Sequence, residues 1–207
     1  MLNTKAIKEE QKKLAKKLII KTDLNKIKTI AGVDIFQNEK NIICSIVILN
    51  YETLEIIEAQ SNHSIPTMPY LEEISSFRVA SCVVETLNKI QNKPDILMID
   101  GEGILNKNKL GIASHVSLLL NIPSIGISKK TIGRVEKDKV FIDDEVRGYL
   151  LRSKEKANPI YTSPGHLIGF KLTKEITEKM LKGNKMPLPL HEAHKSLIKI
   201  KKNLTST

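Results

Sequence analysis

The chain has 207 residues, is 41% hydrophobic and 27% charged, and carries a formal net charge of +10 with a pI near 9.5. The length suits one domain with a sizeable core, and the excess of lysine points to a polyanionic partner, nucleic acid being the commonest for such a chain. Cys44 and Cys82 stand far apart inside apolar runs, which argues against a disulfide framework or a zinc site, and no apolar run approaches the ~18 residues of a membrane span.

In chain order, Thr4 to Lys21 places Ile7, Leu14, Leu18 and Ile19 on one face and lysines elsewhere, which predicts an amphipathic helix over 4–21 with a solvated basic face. Three strands follow: Ile27–Phe36, β-branched and containing Asp34; Asn41–Asn50, an almost unbroken apolar run; and Thr53–Ser61. Their short connections predict an antiparallel meander. A long helix is expected from about Tyr70 to Ile90, then a buried strand at Ile96–Ile99 ending in Asp100. Next come a helix over Leu110–Leu120 and a strand over Pro123–Lys129. Beyond Lys130 the pattern gives strands at Val146–Ser153, Ile160–Ser163 and Leu167–Leu172, a helix near Thr173–Lys182 and a helical tail that frays. "SPGH" (Ser163–His166) reads as a turn. The sum is one α/β domain over 1–207, a mixed sheet in which a meander joins parallel strands, flanked by helices.

Candidate chemistry gathers at strand ends. Ligands of open α/β sheets collect at the carboxyl ends of the strands, and Asp34 and Asp100 both sit there. If the two strands are neighbours, their carboxylates face one crevice and suit Mg²⁺, which binds few carboxylates and keeps waters and phosphate oxygens. Gly101 and Gly103 bracket Glu102, and Asn106, Lys107 and Lys109 place donors before a helix. Lys129 ends a buried strand, where a charge calls for a partner. His115 on its apolar helix reads as a buried structural histidine. "HEAH" (His191–His194) lacks the spacing of a zinc-protease motif.

These segments, "AGVDIF", "MPY" with "FR", "DGEGI" through "LGIASHVSLLLNIPSIGISK", and "SPGH", resemble the endonuclease V family. The resemblance implies an RNase H-like fold and Mg²⁺-dependent hydrolysis (Mn²⁺ being the alternative ion) of the second phosphodiester 3′ of a deaminated purine such as hypoxanthine. It implies nucleic acid, DNA or single-stranded RNA, as partner. Free cysteines, with no apolar N-terminal segment and no membrane-length run, point to the cytoplasm without membrane association, and a monomer is the default expectation. Under the resemblance Asp34 and Asp100 are the metal-binding aspartates, Lys129 and His115 catalytic groups, and Tyr70 the wedge that parts the strands. Arg78, Gly101, Gly103, Lys107, Lys109 and His194 join Tyr70 as nucleic-acid contacts.

The departures are specific. The family's Phe-Arg-Glu, whose glutamate is a metal-site carboxylate, is Phe77-Arg78-Val79 here, and the wedge continues as Leu71-Glu72-Glu73 rather than Ile-Pro-Gly. Valine supplies neither the charge nor the oxygen. Glu102 is the leading replacement, followed by Glu73 or Glu72, with Glu85 too far along the helix. Without a replacement, the alternative is a catalytically impaired protein that binds inosine-containing or distorted nucleic acid.

Overall fold

The structure is a computed structural model that describes residues 3–21, 24, 26–153 and 158–205. Its elements are α1 (Thr4–Ala15), β1 (Thr29–Gln37), β2 (Ile42–Asn50), β3 (Ile56–Ser64), a 3-10 turn (Glu72–Ile74) leading into α2 (Ser75–Asn88), β4 (Ile96–Asp100) and α3 (Ile112–Leu120). Then follow β5 (Ser124–Ser128), β6 (Arg134–Glu136), β7 (Lys139–Ile142), β8 (Glu145–Leu151), β9 (Ile160–His166), α4 (Phe170–Leu181) and α5 (Leu188–Thr205). The strands form one sheet in the order β3-β2-β1-β4-β5-β9-β8-β7-β6. The β1–β2–β3 meander is antiparallel, β1, β4 and β5 run parallel, and β9 returns antiparallel to β5. This is the expected mixed α/β sheet of RNase H-like type. No described helix is long and apolar enough to cross a membrane.

The central strands are apolar on both faces because helices cover both. Ala31 and Val33 of β1 and Leu97 and Ile99 of β4 pack with Val79 and Val83 of α2 and Val116 of α3. Ile30, Ile96 and Met98 pack on the other side with Ile176 and Met180 of α4 and Leu190 and Ala193 of α5. Successive strand side chains alternate between faces, so Gly32 and Asp34 share the α5 face with Ile30, and Asp100 shares it with Met98.

Several elements depart from expectation, each for a reason outside its own segment. The first helix stops at Ala15 rather than continuing to residue 21. There the Ile19 N–H donates to His166 Nδ1 (3.0 Å), while the Ile19 carbonyl accepts from the Leu167 N–H (2.8 Å), so the chain is held extended by the end of β9. The expected strand over Leu167–Leu172 is absent: Leu167 takes a left-handed φ of 56° and Gly169 caps α4. "SPGH" lies within β9 instead of forming a turn, with Pro164 opposite Ile125. The β6–β7 hairpin was not anticipated, nor the turn into β8 at Asp143 and Asp144, where both residues have positive φ, as a two-residue type I′ turn requires.

Candidate active site

The site is built on two neighbouring parallel strands. β1 and β4 pair in the register Ile30↔Ile96 through Val33↔Ile99. Asp34 and Asp100 take the next step of that register, on strands about 4.8 Å apart. Both carboxylates therefore emerge on the α5 face at the carboxyl end of the sheet.

Each aspartate has a basic partner from another element. Asp34 is buried at 5% exposure; its Oδ1 accepts from the Ile35 N–H (2.9 Å) and its Oδ2 is 2.7 Å from His194 Nδ1. Lys129, just past β5, donates from Nζ to Asp100 Oδ2 at 3.0 Å. Burial pushes the Asp100 carboxyl above the usual carboxylate range. Lys129 pulls it back, and the nearby Asp34 charge adds a smaller push upward.

The approach of α5 that delivers His194 depends on Gly32. A Cβ there would lie 1.9 Å from the carbonyl oxygen of Pro189 at the start of α5. The absence of a side chain two residues before Asp34, on the same face, lets the helix lie directly on the strand. His194, expected only as a nucleic-acid contact, thus stands in the carboxylate pair.

Across the meander, Asp34 pairs with Ser45 of β2. Ser45 is fully buried and its hydroxyl has no hydrogen-bond partner among the described residues. Sequence reasoning passed over this residue, although a lone serine inside "IICSIVIL" is a visible break in an apolar run.

Among the described residues no three His, Cys, Asp or Glu side chains converge closely enough to hold a metal ion. Two carboxylates nonetheless fit Mg²⁺, which completes its shell with water and phosphate oxygens. The oxygen donors of Asp34 and Asp100, with the unpartnered Ser45 hydroxyl on the floor beside them, match that requirement.

The proposed replacement carboxylates do not join the pair. Glu102 accepts from Asn106 Nδ2 at 2.9 Å and lines a cavity beside the site. Its carboxyl is raised by burial, with Glu72 rather than Asp34 or Asp100 as the acidic neighbour acting on it. Glu73 pairs with Lys8. Val79 is fully buried on the α2 face of the sheet, opposite to the aspartates.

Two other expectations are corrected. His115 is not brought to the carboxylates: it is 5% exposed between α2 and α3, its ring centroid 4.4 Å from that of Phe77, and burial holds its imidazole below the usual range. Arg78, expected to meet nucleic acid, is 3% exposed and turned inward. Its guanidinium donates to the Met68 carbonyl (3.0 Å), Gln37 Oε1 (2.6 Å) and the Asn38 carbonyl (2.5 Å). A buried cation needs such a set of acceptors, and this one ties the segment before Tyr70 to the end of β1.

The remaining residues surround a cavity of about 630 Å³ next to the pair. Tyr70, 53% exposed, stands at its mouth, and Gly101, Asn106 and Lys107 line it. Gly103 lies deeper: its N–H donates to Ser163 Oγ (3.0 Å), and a Cβ would sit 2.1 Å from the Pro164 carbonyl oxygen. Lys109 faces away, paired with Glu145 at 2.6 Å.

Residues 12–195 match the family model of endonuclease V. Endonuclease V of Dictyoglomus thermophilum is 34% identical over 193 residues, covering 89% of this chain and 85% of that protein. Among solved structures, endonuclease V from Bacillus subtilis superposes with a TM-score of 0.92 at 24% identity, covering 100% of this chain and 95% of the other. Ciona intestinalis endonuclease V, solved with a 24mer DNA containing an inosine followed by a ribo-adenosine, gives a TM-score of 0.84 at 23% identity, covering 95% of this chain and 97% of the other. The chain belongs to the endonuclease V family.

Proposed function

We propose that the protein is a divalent-metal-dependent endonuclease that hydrolyses a phosphodiester beside a deaminated purine, at the second bond 3′ of hypoxanthine. The observation that carries this reading is the placement of Asp34 and Asp100 on one face of adjacent parallel strands, each with a basic partner. The inosine-containing DNA bound to the Ciona protein supports the substrate class.

Asp34 and Asp100 are the residues that would hold Mg²⁺ or Mn²⁺, and a bound ion would supply Lewis-acid polarisation of the phosphate and an acidified water. Lys129 places an ammonium at the Asp100 edge, where it meets the charge that develops on phosphate oxygens. His194 has Nδ1 on Asp34 and a side chain 57% exposed, leaving Nε2 free to carry a proton to or from the reacting oxygens. Tyr70, half-exposed at the cavity mouth, offers a ring face to a base displaced from its stack.

A second reading is favoured by Val79. With an apolar side chain buried where the family motif has a glutamate, the protein would retain recognition of inosine-containing or distorted strands and cleave poorly. Incubating the protein with an inosine-containing DNA oligonucleotide, or its single-stranded RNA counterpart, in Mg²⁺ or Mn²⁺ separates the two. A single nick beside the inosine that Asp100→Asn abolishes supports the nuclease. Retention of the strand without a nick in either metal supports the binder, and absence of binding overturns both.

A further inference from the structure

The basic helix α1 reads from sequence as a solvated surface, yet its one buried residue is polar. Gln11 is fully buried. Its Nε2 donates to the carbonyl of Glu73 (3.0 Å), in the turn that follows Tyr70, and to the carbonyl of Leu110 (3.3 Å), in the loop that follows β4. Its Oε1 accepts from Asn108 Nδ2 at 2.8 Å. One side chain thus joins two segments that line the 630 Å³ cavity, the turn after Tyr70 and the loop after β4. Lys8 of the same helix pairs with Glu73, and both Lys8 and Lys12 line the cavity.

We propose that α1 is the third wall of the nucleic-acid pocket, with Gln11 as the positioning residue that sets the gap between the Tyr70 turn and the loop after β4, and Lys12 as a phosphate contact at its rim. This rests on the reading of the protein as one that binds inosine-containing strands. A buried amide spending both donor and acceptor capacity on two loop segments specifies their separation, because leaving either carbonyl unpaired in the interior is costly. No ion pair within 4 Å holds the Lys12 ammonium among the described residues, whereas Lys13, one position on, faces away toward Glu10. Lys107 lines the same cavity, so Lys12 and Lys107 both bring positive charge to it.

The test measures, without divalent ion, the binding of a fluorescent single-stranded DNA containing one inosine and of its unmodified twin. Gln11→Met keeps the bulk and removes the hydrogen bonds. It is expected to lower the preference for the inosine strand about tenfold, as for loss of paired buried groups, while affinity for the unmodified strand changes little. Asn108→Ala, which removes only the bond to Oε1, gives a smaller loss in the same direction and serves where Gln11→Met does not fold. Lys12→Gln is expected to reduce the slope of log affinity against log salt by about 0.7, one single-strand phosphate contact, with Lys13→Gln unchanged. A helix that only packs would lower the melting temperature of Gln11→Met and leave the inosine preference intact. That result, or a Lys12→Gln slope equal to that of Lys13→Gln, overturns the inference. If the wild-type protein shows no inosine preference while the salt slopes separate as expected, the substrate reading fails and the α1 wall stands. Failure of the wild type to bind either strand removes both.

Discussion

The two faces of the sheet are built from the same apolar strands, and only one of them carries the aspartates. On the α5 face, a glycine at position 32 removes the side chain that would hold the helix off, and the chain uses the space to bring His194 onto Asp34 beside Asp100. On the α2 and α3 face, Val33, Ile99, Val79 and Val116 pack together, and the buried Arg78 and His115 of those helices find partners away from the aspartates. The difference shows where polar chemistry can be tolerated: charges persist on the face where each has a partner and an edge open to water. On the other face the buried cation Arg78 is held by three acceptors, since an unpartnered ion in such packing is costly. Val79 belongs to the second face, where its apolar side chain fills the packing between α2 and the sheet.

The largest way to break this contrast is Asp100→Asn. It removes charge from one face without changing shape, and nicking is expected to fall by about three orders of magnitude, roughly 4 kcal/mol in the barrier. Retained nicking would remove the carboxylate pair from the mechanism. Gly32→Ala attacks the approach of α5. With its Cβ forced against Pro189, it is expected to cost about 3 kcal/mol in denaturant unfolding, and activity should drop as His194 shifts from Asp34. A variant as stable as the wild type would show that the helix can slide freely.

Val79→Glu tests the apolar face directly. A carboxylate among Ala31, Val33 and Val83 is expected to cost about 2 kcal/mol of stability, measured by urea midpoint. If the variant instead keeps its stability and nicks faster, the α2 position reaches the aspartates and the separation of the two faces is wrong.

The smallest effect concerns His115. Burial holds the folded imidazole below its ordinary 6.5, so the unfolded chain takes up the proton first. This contribution to stability is full above about pH 6.5 and falls as the pH drops toward the folded value. His115→Phe should flatten that slope in urea titrations at successive pH values, leaving the part due to His166, which burial also lowers. An unchanged slope would mean that His115 is not the group responsible.

The amount of this that sequence could disclose varied by residue. Asp34 and Asp100 were legible because an acid beside a run of Ile, Val and Ala needs a reason to be there, and the run itself announces a central strand. Lys129 was legible for the same reason, as a charge at the end of an apolar strand. The ends of α1 and the start of α4 were not, because hydrogen bonds between Ile19 and the His166–Leu167 segment, 147 or so positions away, stop one helix and delay the next. Glu102 looked like a substitute ligand from its glycine neighbours. Its actual partner, Asn106, is local, but only the packing of the loop against β9 shows which way the carboxylate points.

What the sequence by itself determined is therefore the set of buried strands, their alternation, the two strand-end aspartates and the basic surface, all properties of residue type and short spacing. Tertiary structure alone decided which face each side chain serves. Period-two alternation defines two faces without saying which helix covers either, and pairing residues 160 positions apart, as His194 and Asp34 are, depends on how helices dock. The inward turn of Arg78, the burial of His115 and Val79, and the central place of Gln11 are decided the same way. In each case long-range packing chose the partner, and nothing in the local sequence carries that information.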